Sequence, residues 1–256
     1  MKTTPREAEL VRSSAVAFHD ARVTEDPDER NRLLGQAQTL AGDSALAGAY
    51  TYLQQAVGVI AVLLPIVLIV YSIIDGQLQG SISDYYYTRV GNYFVGTLCA
   101  LAVFFLSYNY RPLPGHYRDM VMSRAASVAA LGVAFFPTTS NVATASSGAK
   151  TVAFVHLVCA GTLFGLLAGF CLVMFTKSAG PMTARKRTRN RIYRICGVVI
   201  IAAMLSVGLS NLIGVPEDWH SLFWLESVCV WAFGFSWLVK GGFLGLFADR
   251  AQGSRT

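Results

Sequence analysis

The sequence predicts an all-α fold: a polytopic bundle of six transmembrane helices with both termini cytoplasmic. Three observations predict it. Of 256 residues, 54% are hydrophobic and only 14% charged, with a mean hydropathy of +0.46, whereas a soluble domain carries about 25% charged residues. The apolar residues fall into six runs long enough, or nearly so, to cross a hydrocarbon core of roughly 30 Å. The basic residues crowd into alternate connections between those runs.

The chain divides into a cytoplasmic N-terminal arm (1–50), a six-helix membrane domain (51–242) and a cytoplasmic C-terminal tail (243–256). Residues 1–43 hold six basic and eight acidic residues and no apolar core of signal-peptide length, so they read as a solvated arm. Asp26-Pro27-Asp28-Glu29 marks a helix start, with proline in the first turn and acids where the dipole favours them. That helix leads towards the first span, about Tyr52 to Ile74. Pro65 lies inside the span and is expected to kink it and free the carbonyl of Ala61. The later spans run about Asn92 to Tyr108, Val121 to Pro137, Thr151 to Phe175, Ile195 to Ile213 and Leu222 to Val239. The third is short and alanine-rich.

Charge sets the orientation. Arg111, Arg118 and Arg124 separate spans two and three, and seven basic residues separate four and five. Lys240, Arg250 and Arg255 follow span six. The opposite connections carry only Arg89 and Lys150, so the crowded side is cytoplasmic by the positive-inside rule. An even span count then puts both termini inside. Tyr85, Tyr86, Tyr87, Trp219 and Trp224 are expected at the outer interface. Tyr108, Tyr110, Tyr117, Tyr193 and Trp237 are expected at the inner one.

Two further patterns concern partners. The basic Arg185–Arg194 loop fits contact with anionic lipid headgroups. Nucleic acid is not expected, since no folded module presents the charges. Gly161, Gly165 and Gly169 form a small-residue stripe suited to close helix packing, which leaves a homo-oligomer open. The five cysteines lie in or beside apolar runs without a C-x-x-C pair and read as packing residues.

Polar groups inside the spans are the candidates for function, because buried ionisable residues are costly in a bilayer. Glu226 is the only acid or base well inside a span, about five residues below the outer boundary and so roughly 7 Å deep. His156 lies at similar depth in span four. Asn211 ends span five and Asn92 opens span two. Asp84, Thr138, Thr139, Ser140, Asn141, Asp218 and His220 belong to the outer loops or helix ends. The inner half offers no comparable set. Three readings stay open. These residues satisfy one another as polar glue, or line an outer-leaflet pocket for a lipid-like or small ligand, or serve catalysis with His156 or Glu226 as general base. A metal-dependent lipid hydrolase would draw on His156, His220 and Glu226, with Asp84 as a substitute acid. No HxxxH or HExxH spacing concentrates ligands on one helix, and one intramembrane histidine does not make a haem site. No cofactor is expected, and a binding role is favoured over an enzymatic one. A proton-coupled transporter is third, hinted at only by Pro65.

SISDYYYT, GNYFVGTLCALAVFFLSYNY, ALGVAFFPT, VHLVCAGTLFGLLAGFCLVMFTKS, MTARKRTRNRIYRICG and LFWLESVCVWAFGFSWLVKG together cover much of residues 50–242. In this pattern the chain resembles an uncharacterised family of bacterial six-span membrane proteins. That resemblance implies the bacterial cytoplasmic membrane as its location. More distantly, Ile82-Ser83-Asp84 is similar to the Ile-Ser-Asp motif of the DRAM-like family, eukaryotic proteins tied to membrane lipid and autophagy functions. There the motif is usually followed by glycine and proline, whereas here Tyr85 to Tyr87 intervene. The Ser, Asp and triple-His pattern of ceramidase-like and adiponectin-receptor-like hydrolases is not reproduced.

Overall fold

A computed structural model describes residues 5–108, 117–139, 146–177, 182–216 and 219–243. Among them are seven α-helices and no strand. They are α1 (Pro5–Val23), α2 (Pro27–Asp75), α3 (Gly91–Ser107), α4 (Tyr117–Phe135), α5 (Ser147–Gly169), α6 (Ala184–Ile213) and α7 (Ser221–Lys240). A 3-10 turn (Ser83–Tyr87) precedes α3, and a π-helical turn (Phe170–Met174) extends α5. Four helices are long and apolar enough to cross a membrane: α2, α5 with its π turn, α6 and α7. The molecule is therefore compatible with a membrane location. At 17 residues, α3 is apolar but shorter; α4 opens with Arg118 and Asp119 and carries Arg124 in its second turn.

The helix starts follow from local chemistry. Asp26 caps α2 by accepting from the Asp28 amide at 2.9 Å, and Pro27 fills the first turn, where its missing N–H costs nothing. Ser146 and Thr183 cap α5 and α6 in the same way. Gly76 ends α2 in the left-handed conformation, φ 78°, which a side chain would resist.

α2 is one unbroken helix of 49 residues, about 73 Å at 1.5 Å per residue. It continues without a break through the expected boundary at residue 50 and through Pro65. The arm is also more ordered than expected. α1 folds back antiparallel on the first half of α2, with Ser14 Oγ donating to the Ala37 carbonyl at 3.1 Å and Ala17, Ala21 and Ala37 buried between them. The basic stretch Arg185–Arg194, expected as a loop, forms the first turns of α6. Lysine and arginine are good helix formers, and the Thr183 cap starts the helix ahead of them.

α2 to α7 close a ring in chain order, α7 returning onto α2. That closure is tight because two glycines meet there. A Cβ on Gly58 would lie 2.9 Å from the Gly234 carbonyl oxygen, and one on Gly234 would lie 3.0 Å from that of Gly58. Trp231 Nε1 donates to the Val62 carbonyl at 3.1 Å, one residue beyond the carbonyl expected to be freed by Pro65. The stripe in α5 packs within the bundle at one position. Gly161 and Gly165 meet nothing within 4 Å; only Gly169 abuts a neighbour, Met122.

The core is aromatic at the Lys240 end. Phe105, Phe170, Phe175, Phe233 and Trp237 pack with Tyr108. Tyr193 joins through Phe175. Tyr108, Tyr193 and Trp237, expected at the inner interface, are buried in this cluster. Tyr85 is likewise fully buried, while Tyr87, Trp219 and Trp224 are exposed. Tyr110, Ser140, Asn141, Asp218, the tail beyond residue 243 and the side chain of Asn211 lie outside the described residues.

Candidate functional site

The connection after α2 is stitched onto the start of α7. The Phe223 amide donates to the Gly80 carbonyl at 3.0 Å, and the Ile82 amide donates to Glu226 Oε2 at 2.7 Å. The 3-10 turn is braced from within: Asp84 N–H donates to Ser81 Oγ at 3.1 Å, and the hydroxyls of Ser81 and Ser83 pair at 3.0 Å. Tyr85 drops its ring between α2 and α7, where its hydroxyl pairs with Ser72 and its ring packs against Tyr71 and Phe223. Gly91 lets α3 start against this turn, since a side chain there would overlap the Tyr86 carbonyl. The carboxylate of Glu226 is therefore fixed by a backbone donor from a chain segment 144 residues away.

His156 reaches the same end of the bundle from α5. Its Nδ1 lies 2.7 Å from the Phe136 carbonyl, just past the end of α4, where helix carbonyls lack intrahelical donors. A carbonyl only accepts, so Nδ1 carries the proton, and in the neutral ring Nε2 is an acceptor. His156 is buried. Asp84 is half-buried on the 3-10 turn. Nearby, Tyr87 donates to the Thr138 carbonyl at 2.6 Å. Burial, then Tyr86 and Asp84, push its phenol upward, so it remains a donor at neutral pH.

A cavity of about 60 Å³ lies inside the ring, lined by Glu226, His156 and Ser83 together with apolar walls that include Leu98, Val133 and Phe164. A single water needs about 10–15 Å³ on this measure, so the space exceeds one water. Ala61, Ala130 and Ala160 line it too, and their short side chains help to leave the gap.

The expected site residues thus separate. Glu226 and His156 converge on the cavity, while Asp84 stands on the 3-10 turn and does not line it. Asn92 is exposed on α3 and does not line the cavity, because its neighbour Gly91 takes the inward position. Asn211 lies in the last turn of α6, and nothing can be said of its side chain. His220 takes a left-handed conformation, φ 46°, ahead of α7, and its Nδ1 is buried without a hydrogen-bond partner among the described residues. It does not line the cavity. Among the described residues no three His, Cys, Asp or Glu side chains gather as a metal set. Of the alternative metal set His156, His220 and Glu226, the first and last converge on the cavity, while His220 stands at the start of α7 without a side-chain capping bond and does not join them.

One polar group was missed. At the opposite end of the bundle Asp119, 4% exposed, pairs with Lys177. Lys186 Nζ donates to the Phe175 carbonyl at 3.0 Å, and Asn190 Nδ2 to that of Thr176 at 3.1 Å. These groups satisfy the carbonyl end of α5 and its π turn. The expectation that this half lacks a polar set is overturned.

No family model, curated protein or solved structure matches the chain.

Proposed function

We propose that the chain is an integral membrane protein that binds a lipid-like or small amphiphile in the cavity between Glu226 and His156. In this reading α2 to α7 are six spans with both termini cytoplasmic, and the cavity lies in the outer leaflet of a bacterial cytoplasmic membrane. The resemblances to bacterial six-span proteins and, at Ile82-Ser83-Asp84, to the DRAM-like family belong to the same proposal. The agreement between the six apolar runs and six consecutive helices supports the topology. So does the concentration of basic residues at the Lys240 end.

The observation that carries the binding reading is the convergence of Glu226 and His156 on an otherwise apolar cavity, the usual composition of a small-molecule site. The cavity presents a carboxyl group and the acceptor Nε2, so the favoured ligand brings an apolar body and a hydroxyl or similar donor at its polar end. The polar-glue alternative is weaker because each residue bonds to backbone rather than to the other. A hydrolase would need a metal set that the described residues do not assemble.

Native mass spectrometry of detergent-purified protein tests this. The wild type should retain a small amphiphile. Ala160→Leu, which fills the cavity and leaves both polar residues in the sequence, should release it while the protein stays folded. Retention in Ala160→Leu, or absence of any adduct in wild type extracted under mild conditions, refutes the reading.

A further inference from the structure

The basic run of α6 splits into two faces. Lys186 and Asn190 turn inward to the carbonyl end of α5. Arg187, Arg191 and Arg194 turn outward and are exposed. Their spacing of four and three residues puts them on one helix face, spread over about 10 Å. Among the described residues no acidic side chain pairs with any of the three, and the contact found for them is from Arg187 to the Met182 carbonyl at 3.3 Å.

These arginines border a shallow groove of about 520 Å³, whose other walls are Met182, Asn190, Ile195, Val198 and Val199. The chemistry changes abruptly after Arg194. Ile195 and Val198 are more than half exposed, and Leu205, Leu209 and Leu212 continue the exposed apolar surface at 69%, 55% and 84%. Three guanidiniums above a continuous apolar stripe match a molecule with an anionic head and a hydrocarbon tail.

We infer that this groove is a binding site for one anionic phospholipid. Its phosphate is held by Arg187, Arg191 and Arg194, and its acyl chains lie along Ile195, Val198 and Leu205. Guanidinium is suited to the role because it forks onto two phosphate oxygens at once, which an ammonium does not. An acidic peptide or nucleic acid would leave the apolar half unmatched. The inference rests on a membrane placement of α6 and is independent of the cavity and its ligand.

The test is native mass spectrometry of the full-length protein titrated with phosphatidylglycerol or phosphatidylcholine. Phosphatidylglycerol should bind with the higher affinity. Arg187→Gln/Arg191→Gln/Arg194→Gln should weaken it by on the order of a hundredfold, from about 1 kcal/mol per basic group. Arg12→Gln/Arg22→Gln/Arg32→Gln removes the same charge from the N-terminal hairpin and should leave binding within about twofold. Equal loss in both triple variants would reduce the effect to net charge and overturn the site. Glycerol phosphate at matched concentration should not displace the lipid; displacement would overturn the role of the apolar stripe. Should the glutamine variant unfold, Arg187→Lys/Arg191→Lys/Arg194→Lys decides, because it keeps the charge and loses the fork. Unweakened binding in that variant overturns the guanidinium assignment.

Discussion

Removing the Glu226 carboxylate should loosen the connection between α2 and α3. In Glu226→Ala the Ile82 amide loses its acceptor at 2.7 Å. A hydrogen bond contributes about 0.5–1.5 kcal/mol net, and an abandoned buried donor costs about 1–3 kcal/mol. Side-chain bonds between membrane helices average only about 0.6 kcal/mol, because the separated helices find other partners. Here the donor is a backbone amide in a short connection pinned by Phe223 and Tyr85, so few substitutes are in reach. The expected loss is about 2 kcal/mol. For a chain of this size that lowers Tm by about 4–8 °C, read by tryptophan fluorescence in detergent. Glu226→Gln retains a carbonyl acceptor and should lose less than half as much. If the two variants lose the same stability, the Ile82 bond is not what holds the connection. If neither changes Tm, Glu226 does not hold the connection at all.

Three other outcomes follow from the same geometry. Gly91→Ala pushes a methyl into the Tyr86 carbonyl, backbone that no rotamer change relieves, and should cost about 1–3 kcal/mol; faster tryptic cleavage at Arg89 would report it. Asp119→Ala leaves Lys177 without its carboxylate. Because Lys177 is 40% exposed, water screens part of the loss, which should be about 1–2 kcal/mol rather than the 3–5 of a fully buried pair, again visible as a lower Tm. Gly58→Ala should cost about 1–3 kcal/mol at the crossing with Gly234, while Gly161→Ala, facing open space, should stay within about 0.5 kcal/mol; a fall in oligomeric mass for the Gly161 variant would mark that stripe as a contact between copies.

Hydropathy located the apolar helices well, and their ends only where polar turns close them. A span from Asn92 to Tyr108 became Gly91–Ser107, and one from Leu222 to Val239 became Ser221–Lys240, because polar turns close both. Where good helix formers continue past the apolar run, as in RNRLLGQAQ before Tyr52 or ARKRTRNR before Ile195, the helix continues too. Hydropathy reads apolar length, not helix length. α1 escaped notice because its buried face is Ser14, Ala17 and Ala21, small residues with little hydropathic weight, though their spacing is helical.

Position along a helix was legible, and direction around the helix was not. Glu226 and His156 stood out as ionisable residues in apolar runs, but Asn92, expected beside them, is exposed and does not line the cavity. Asp119 and Lys177 were invisible as a pair because each sat in what read as a polar margin. The structure adds a common rule to both ends. Each of these inward polar residues meets a backbone group left over by an irregular segment: Glu226 the Ile82 amide, His156 the Phe136 carbonyl, Lys186 the Phe175 carbonyl, Asn190 the Thr176 carbonyl. Capping alone therefore explains why they are buried and cannot identify a site. What distinguishes Glu226 and His156 is that they also line the interior cavity, which neither Lys186 nor Asn190 does. A residue retained only to cap would gain nothing from that opening, since filling it would add contacts at no cost to the cap.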